Sequence, residues 1–393
     1  MEALRRNPSD TSSGATPGAG AGLRLDAVRV DHPDGTVALA GITLDVAPGE
    51  VVAVVGPSGS GKTTLLRAVA GLVPVRGRVE LDGRDVTRCE PAQRNLAMVF
   101  ETGELISTLT VEGNLGFGLR VQKVPQDERR RRVAVEAGRL RLTRLLGRRP
   151  ANLSVGERGR AHIGHALNRR PAAWLLDEPL GHLDPAERFQ LRHRLALEAR
   201  EQRVPTLYVT HDPAEALAVG DRVAVLQDAR LAQVGTPREL YLRPVNAFVA
   251  TFVDPEPVGL VAARVVRSGR FAGFRIADRV VPFWSGLPAE LEEHVGRAVV
   301  LAWRAQAVRD AADVDDPDTA RLPGVVVSTE FTGPSVLAVV EVAPTARLVV
   351  RLPRDRPVRR GATVTLAVDA DRAHVFDAAT GSALRHPDPG PVG

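Results

Sequence analysis

Lysine is nearly absent from this chain: Lys62 and Lys123 are the two that its 393 residues contain. Lys62 lies in Gly56-Pro57-Ser58-Gly59-Ser60-Gly61-Lys62-Thr63, a full match to G-x-x-x-x-G-K-[ST], with Thr64 directly after it. The chemistry of such a loop is phosphate binding. Its glycines let the backbone wrap closely enough for successive N–H groups to face phosphate oxygens. The N-terminus of a following helix adds partial positive charge. In that arrangement Lys62 reaches the β- and γ-phosphates and the Thr63 hydroxyl ligates Mg²⁺. The competing reading is a glycine-rich turn without a role. A rare lysine, a preceding apolar run at Val51–Val55 and a helical pattern over Lys62–Ala70 argue against it.

Three further segments carry groups of matching chemistry. Ala173-Trp174-Leu175-Leu176-Asp177-Glu178-Pro179 is an apolar strand ending in two acids. Asp177 is placed to hold the hydration shell of Mg²⁺ and Glu178 to polarise an attacking water, although an acidic pair at a strand end can also cap a helix. Leu153-Ser154-Val155-Gly156-Glu157 opens a helical stretch. Ser154 suits an N-cap, and a helix N-terminus with a free hydroxyl and the close backbone of Gly156 can also hold an anion. A third apolar strand ends in His211, a position fit for sensing a γ-phosphate or for a purely structural imidazole. Gly181-His182-Leu183-Asp184 lies between the last two.

These residues need a scaffold, and the pattern supplies one. Short β-branched runs at Glu50–Val55, Leu96–Phe100, Trp174–Asp177 and Thr206–Thr210 alternate with helical stretches at Lys62–Ala70, Gln126–Leu146 and Pro185–Gln202. Continuous apolar strands between helices imply an α/β domain whose central strands are covered on both faces. After Gly259 the character changes. Gly259–Val266, Ala346–Leu352, Ala362–Val368 and Ala373–Phe376 read as strands separated by Gly, Pro and Asp turns, so the last third is expected to be a small β-rich domain. The expected division is a flexible Gly/Ser/Ala-rich tail over 1–22, the α/β domain with the phosphate loop over 23–253, a linker at Asp254–Pro257, the β-rich domain over 258–385 and a short tail over 386–393.

Composition narrows the classes. With 44% hydrophobic and 25% charged residues the chain is neither wholly disordered nor fibrous. No apolar run approaches the ~20 residues that span a bilayer, and the first 22 residues lack the apolar core of a secretory signal. The single cysteine, Cys89, excludes an internal disulfide and fits a reducing compartment. A net charge of +5 is a mild excess, and Arg129–Arg132 sits beside Asp127 and Glu128 as a solvated helix face, so no nucleic-acid partner is expected. His162 and His165, one helical turn apart, read as surface or interface histidines because no third metal ligand is near in sequence.

Taken in order, the loop, signature, acidic strand end and strand-end histidine resemble the ATP-binding subunit of an ABC transporter. The segments THDPAEALAVGDRVAVLQ, QVGTPRELYLRP and HVFDAATGSAL resemble its carbohydrate-uptake, maltose-importer-like subfamily. That resemblance implies a C-terminal OB-like regulatory domain and ATP and Mg²⁺ as ligands. It implies a homodimer, or a pair with a similar ATPase, sandwiching two ATPs between one subunit's phosphate loop and the other's Ser154 and Gly156, with Asp184 nearby. It implies two membrane permease subunits, an external solute-binding protein, and a place on the cytoplasmic face of the membrane. Importers of polyamines, iron, sulfate or molybdate carry similar cassettes, so these remain alternatives to a sugar. ABC ATPases of DNA repair or translation carry tandem cassettes or coiled-coil insertions, and neither occurs here.

Four departures from the family pattern stand out. His32 occupies the place of the aromatic that stacks on adenine. Glu101 replaces the loop glutamine that links Mg²⁺ to the permease contact, adding negative charge near the γ-phosphate while keeping a metal-ligating and catalytic position. The signature reads LSVGE instead of LSGGQ, so Val155 adds bulk and Glu157 adds charge at the closed interface. Trp303-Arg304-Ala305-Gln306 replaces an Arg-Pro-Glu stretch, so the family's regulatory contacts there are not carried over. The expectation is a working ATPase with re-tuned or slower turnover. A hydrolysis-impaired regulatory subunit is the alternative.

Overall fold

The computed structural model describes residues 22–100, 105–168, 171–181, 183–268, 271–316 and 319–387. The tail over 1–21, Glu101 and His182 lie outside the described residues.

The Val51–Val55 strand is buried at every position and organises the first half of the chain. It pairs in parallel with Thr206–Val209 on one side and Arg222–Gln227 on the other. The sheet continues through Ala173–Asp177 to Leu96–Val99, and Arg230–Gly235 closes the far edge antiparallel. An all-apolar strand must be covered on both sides, and its alternate residues show how. Val52 and Val54 enter a core shared with Lys62–Ala70 and an antiparallel sheet built on Leu23–Asp31 and Val37–Val46. Val51, Ala53 and Val55 face the opposite core, shared with Trp174, Tyr208 and helical residues such as Leu115, Ile163 and Leu195.

Two helices begin and end where the sequence reading places them, Lys62–Ala70 and Pro185–Gln202. The third does not. Gln126–Leu146 stops at Arg139, because Leu140 and then Arg141, at φ 56°, turn the chain into short 3₁₀ segments. The leucines beyond the break still pack on the core. The histidine pair is also placed differently from expectation: His162 is 8% exposed, inside the packing of its helix, and His165 Nδ1 is 2.8 Å from the Asn114 carbonyl. Among the described residues no three His, Cys, Asp or Glu side chains are grouped as a metal site.

From Gly259 onward the described residues form two antiparallel sheets of six and five strands around one core, which includes Phe274, Leu301, Trp303, Val340 and Leu366. Helical turns there are 3₁₀ only. The outer face of the six-stranded sheet receives the helix Ala247–Phe252 through Ala250, Ala302 and Phe376. The intervening segment is pinned at both ends. Asp254 pairs with buried Arg304, and Glu256 pairs with Arg351. No helix among the described residues is long and apolar enough to cross a membrane.

Candidate functional site

In an open parallel sheet, groups for ligand chemistry collect beyond the carboxyl ends of the strands. Here Val55 leads into the glycine loop, Asp177 closes its strand, and Val209 leads through Thr210 to His211. Because the three strands are neighbours, the three groups come to one edge.

The loop is shaped by contacts only glycine allows. A Cβ on Gly56 would lie 2.3 Å from the Leu226 carbonyl oxygen, and one on Gly61 would lie 2.4 Å from that of Ala38. Gly59 and Gly61 hold φ of 80° and 104°, a region L side chains resist. Pro57, Ser58 and Gly59 form the exposed rim, while Gly56 and Ser60 are buried. Gly61 caps Lys62–Ala70 without any side-chain hydrogen bond, so the first N–H groups of that helix receive no side-chain cap. The buried Ser60 Oγ also has no hydrogen-bond partner. A closed backbone cradle, an uncapped helix start and an orphaned hydroxyl fit a phosphate chain. Lys62 Nζ arches back to donate to the carbonyls of Gly56 (2.8 Å) and Pro57 (2.9 Å). Burial holds its pKa below the usual lysine value, and the Glu178 and Asp177 charges oppose that shift.

Across the loop, Thr63 Oγ1 stands 3.4 Å from Asp177 Oδ1, and Asp177 is 4% exposed. Thr64, half-buried, follows in the same first turn. A hydroxyl and a buried carboxylate at this separation are oxygen donors of the kind Mg²⁺ takes. Glu178 holds φ at 46° while its N–H donates to Val209 O at 2.9 Å. Its Oε2 lies 2.8 Å from His211 Nδ1.

The structure also explains how His211 is carried, which the sequence reading missed. Buried Glu215 accepts from Tyr208 Oη (2.8 Å) and Thr210 Oγ1 (2.7 Å), and Thr210 Oγ1 accepts from Asp212 N (3.1 Å). This network staples the loop holding His211 to its strand. Arg94 was missed as well. Only 4% exposed, it donates to the carbonyls of Ala68 and Val69, closing the C-terminal end of the loop's helix.

In the signature, one side chain has a local role that the sequence reading did not assign. Ser154 caps Val155–Leu167 by accepting from Glu157 N at 3.2 Å, and Glu157 Oε2 accepts from Ser154 N at 2.7 Å. The Glu157 carboxylate is therefore turned back as half of a capping box instead of projecting outward, and that bond lowers its pKa. Val155 is 54% exposed. Gly156 sits over Glu187, which pairs with Arg160 and donates its N–H to Asp184 Oδ1 at 2.9 Å. Asp184 thus caps Pro185–Gln202. His32 is exposed in the turn between the first two strands, its N–H donating to Thr36 O at 2.8 Å. That turn leads into the strand whose Ala38 oxygen abuts Gly61.

Comparison with known proteins gives this arrangement a setting. Residues 39–181 match the ABC transporter family model, and 301–376 match the TOBE domain model. The chain is 39% identical over 360 residues to the sn-glycerol-3-phosphate import ATP-binding protein of Chromohalobacter salexigens, covering 91% of this chain and 94% of that one. It is 37% identical over 354 residues to the trehalose/maltose import ATP-binding protein of Thermococcus litoralis, covering 87% and 94%. A solved ATP-binding cassette dimer in a post-hydrolysis state, bound to ADP and phosphate, superposes with a TM-score of 0.51 at 27% identity, covering 55% of this chain and 99% of that one.

Proposed function

This chain belongs to the ABC transporter family as the ATP-binding, ATP-hydrolysing subunit of an importer, and we propose that the solute it serves is a sugar or a phosphorylated polyol. Its relatives' names include a phosphorylated polyol and two disaccharides, which supports the class without choosing within it. The observation that carries the site assignment is the convergence of an uncapped, glycine-cradled lysine loop with the Glu178–His211 pair at one sheet edge.

In this reading the loop N–H groups from Gly56 to Thr64 and the Lys62 ammonium bind the ATP phosphates, and His32 lies beside the base. Thr63 and Asp177 hold Mg²⁺, which when bound neutralises charge on the phosphates. Glu178 takes the proton of the attacking water. His211, hydrogen-bonded to it, fixes the carboxylate's direction and faces the γ-phosphate. Glu101 belongs to the same assignment as a metal or water ligand.

Import ATP-binding subunits pair with one another and work with membrane permeases. For this chain we assign a homodimer in which Ser154, Gly156 and Asp184 of each copy complete the other's site. Two permeases and an external solute-binding protein complete the assembly, with this chain at the cytoplasmic face of the membrane.

Steady-state Mg-ATP hydrolysis by the full chain, with Glu178→Gln as the blank, tests the assignment. A loss of general-base catalysis predicts a fall of roughly 10²-fold or more in turnover with ATP binding retained. Equal turnover in the two proteins would remove Glu178 from its role.

A further inference from the structure

A cavity of about 1010 Å³ lies where the ATP-binding part of the chain meets the C-terminal sheets. One wall is the helix Pro237–Leu242 with Arg238 and Arg243. The other is formed by Ser285–Pro288, Asp369–Arg372 and the end of the last strand with Arg385 and His386. None of the ATP chemistry above uses it.

Its charges separate into committed and uncommitted groups. Arg385 pairs with Asp371 at 2.7 Å, and Arg372 approaches Asp369 at 3.8 Å. The Glu239 carboxylate is spent on the Thr236 cap. Arg238, Arg243 and Glu290 have no ion pair among the described residues. His386, placed by sequence at the start of the tail, packs on buried His374 with Nδ1–Nδ1 at 3.1 Å. That contact occupies one ring nitrogen of His386 and leaves Nε2 as its remaining polar atom. Arg243 lies close enough that its charge, after burial, helps hold the His386 pKa down.

We propose that this cavity is a regulatory site for a phosphate monoester bearing hydroxyl groups, with Arg238 and Arg243 from one side and His386 from the other holding the phosphate. Guanidinium groups bind phosphate oxygens with charge-assisted bonds. A lining that also carries the uncommitted Glu290 carboxylate suits a ligand with hydroxyl donors over a bare polycarboxylate. The volume is that of a small-molecule site and not of a lone ion. A readout is built in. His386 touches His374, the charge of Arg304 acts on His374, and Arg304 is the buried partner of Asp254 in the connecting segment. A ligand bridging both walls therefore bears on the joint between the ATP-binding part and the C-terminal sheets.

The inference rests on the ATP-binding reading, so the test separates the two. Full-chain Glu178→Gln protein is first titrated calorimetrically with Mg-ATP, which fills the phosphate loop. The saturated protein is then titrated with sn-glycerol 3-phosphate, inorganic phosphate, or glycerol. Failure of the first titration overturns the ATP assignment. With ATP bound, the expected result is binding of the ester, weaker binding of free phosphate and none of glycerol. Arg243→Gln and His386→Gln should each weaken the ester by about tenfold or more. Equal binding of phosphate and ester would make inorganic phosphate the ligand and overturn the ester assignment. No binding, or binding unchanged in both variants, overturns the site. Both substitutions replace side chains at the cavity surface, and unchanged ATP binding in each confirms that the fold is intact.

Discussion

At Glu178 the backbone and the side chain are constrained together. A φ of 46° at a non-glycine residue costs on the order of 1–3 kcal/mol and persists only where surroundings impose it. Here the imposing bonds are Glu178 N to Val209 O at 2.9 Å and Gly181 N to Glu178 O at 3.2 Å. The strained conformation sends the carboxylate to His211 and leaves it 20% exposed while His211 remains 69% exposed. If His211 acts by directing Glu178, His211→Ala should lower kcat by about 10- to 10²-fold while KM for ATP stays near the parent value, and His211→Gln should recover part of the loss. A raised KM with unchanged kcat would instead make His211 a binding residue. The types and strand-end positions of Glu178 and His211 are legible in sequence because they interrupt apolar runs. The left-handed φ is not, since it is set by hydrogen bonds to Val209 and Gly181. Nor is the Glu215 network, where an ordinary helix-starting glutamate becomes buried only because Tyr208 and Thr210 face it.

Elements succeed or fail as predictions according to whether their ends are written locally. Pro185–Gln202 opens with Asp184 and Pro185, a side-chain cap and a residue preset for the first helical position, so its start is local. The break after Arg139 has a local signal in Gly138, whose carbonyl accepts from Arg141 N at 3.2 Å, but the apolar spacing of Leu140, Leu142 and Leu145 runs through it, so the sequence reading extends the helix too far. The sheet built on Leu23–Asp31 and Val37–Val46 was likewise absent from the sequence reading. The phosphate loop is legible as a motif, but the reason for its glycines lies in that unread sheet: Gly61 fits against the Ala38 carbonyl. Gly61→Ala combines a Cβ 2.4 Å from that oxygen with a φ of 104°. The expected result is at least tenfold weaker ATP binding by calorimetry and destabilisation of about 1–3 kcal/mol in denaturant unfolding. Gly286→Ala, at φ 91° with open space around it, isolates the cost of φ alone and should leave ATP binding unchanged. Equal effects on binding at the two sites would refute the steric account.

For the whole molecule, the joint between the ATP-binding part and the C-terminal sheets combines the apolar seat of Ala250 on Ala302 and Phe376 with a buried polar cluster. Arg304 donates to Asp254 and to the Tyr241 carbonyl, and its guanidinium carbon lies 3.4 Å from the centroid of the Tyr241 ring. Sequence marks Arg304 only as a departure from a family pattern, because its partner is fifty residues away. Removing one member of a buried pair strands the other, so Arg304→Ala should cost roughly 3–5 kcal/mol, read as a lower unfolding midpoint. A change within 0.5 kcal/mol would show that the joint carries no such weight. Acid should act on both halves. Burial, first among the causes, lowers His162 to about 4 and His374 to about 3, with neighbouring positive charge adding to each shift. An unfolded histidine takes up its proton near pH 6.5, so below that value the unfolded chain binds more protons than the native one. Stability is thus complete above about pH 6.5 and declines as pH falls toward the folded values, by up to ~1.4 kcal/mol per pH unit for each histidine. Thermal melting followed from pH 7.5 to 5 should show a falling Tm, and His374→Gln should flatten the slope of the transition belonging to the C-terminal sheets. A Tm independent of pH across that window would mean that neither imidazole is held neutral by its burial.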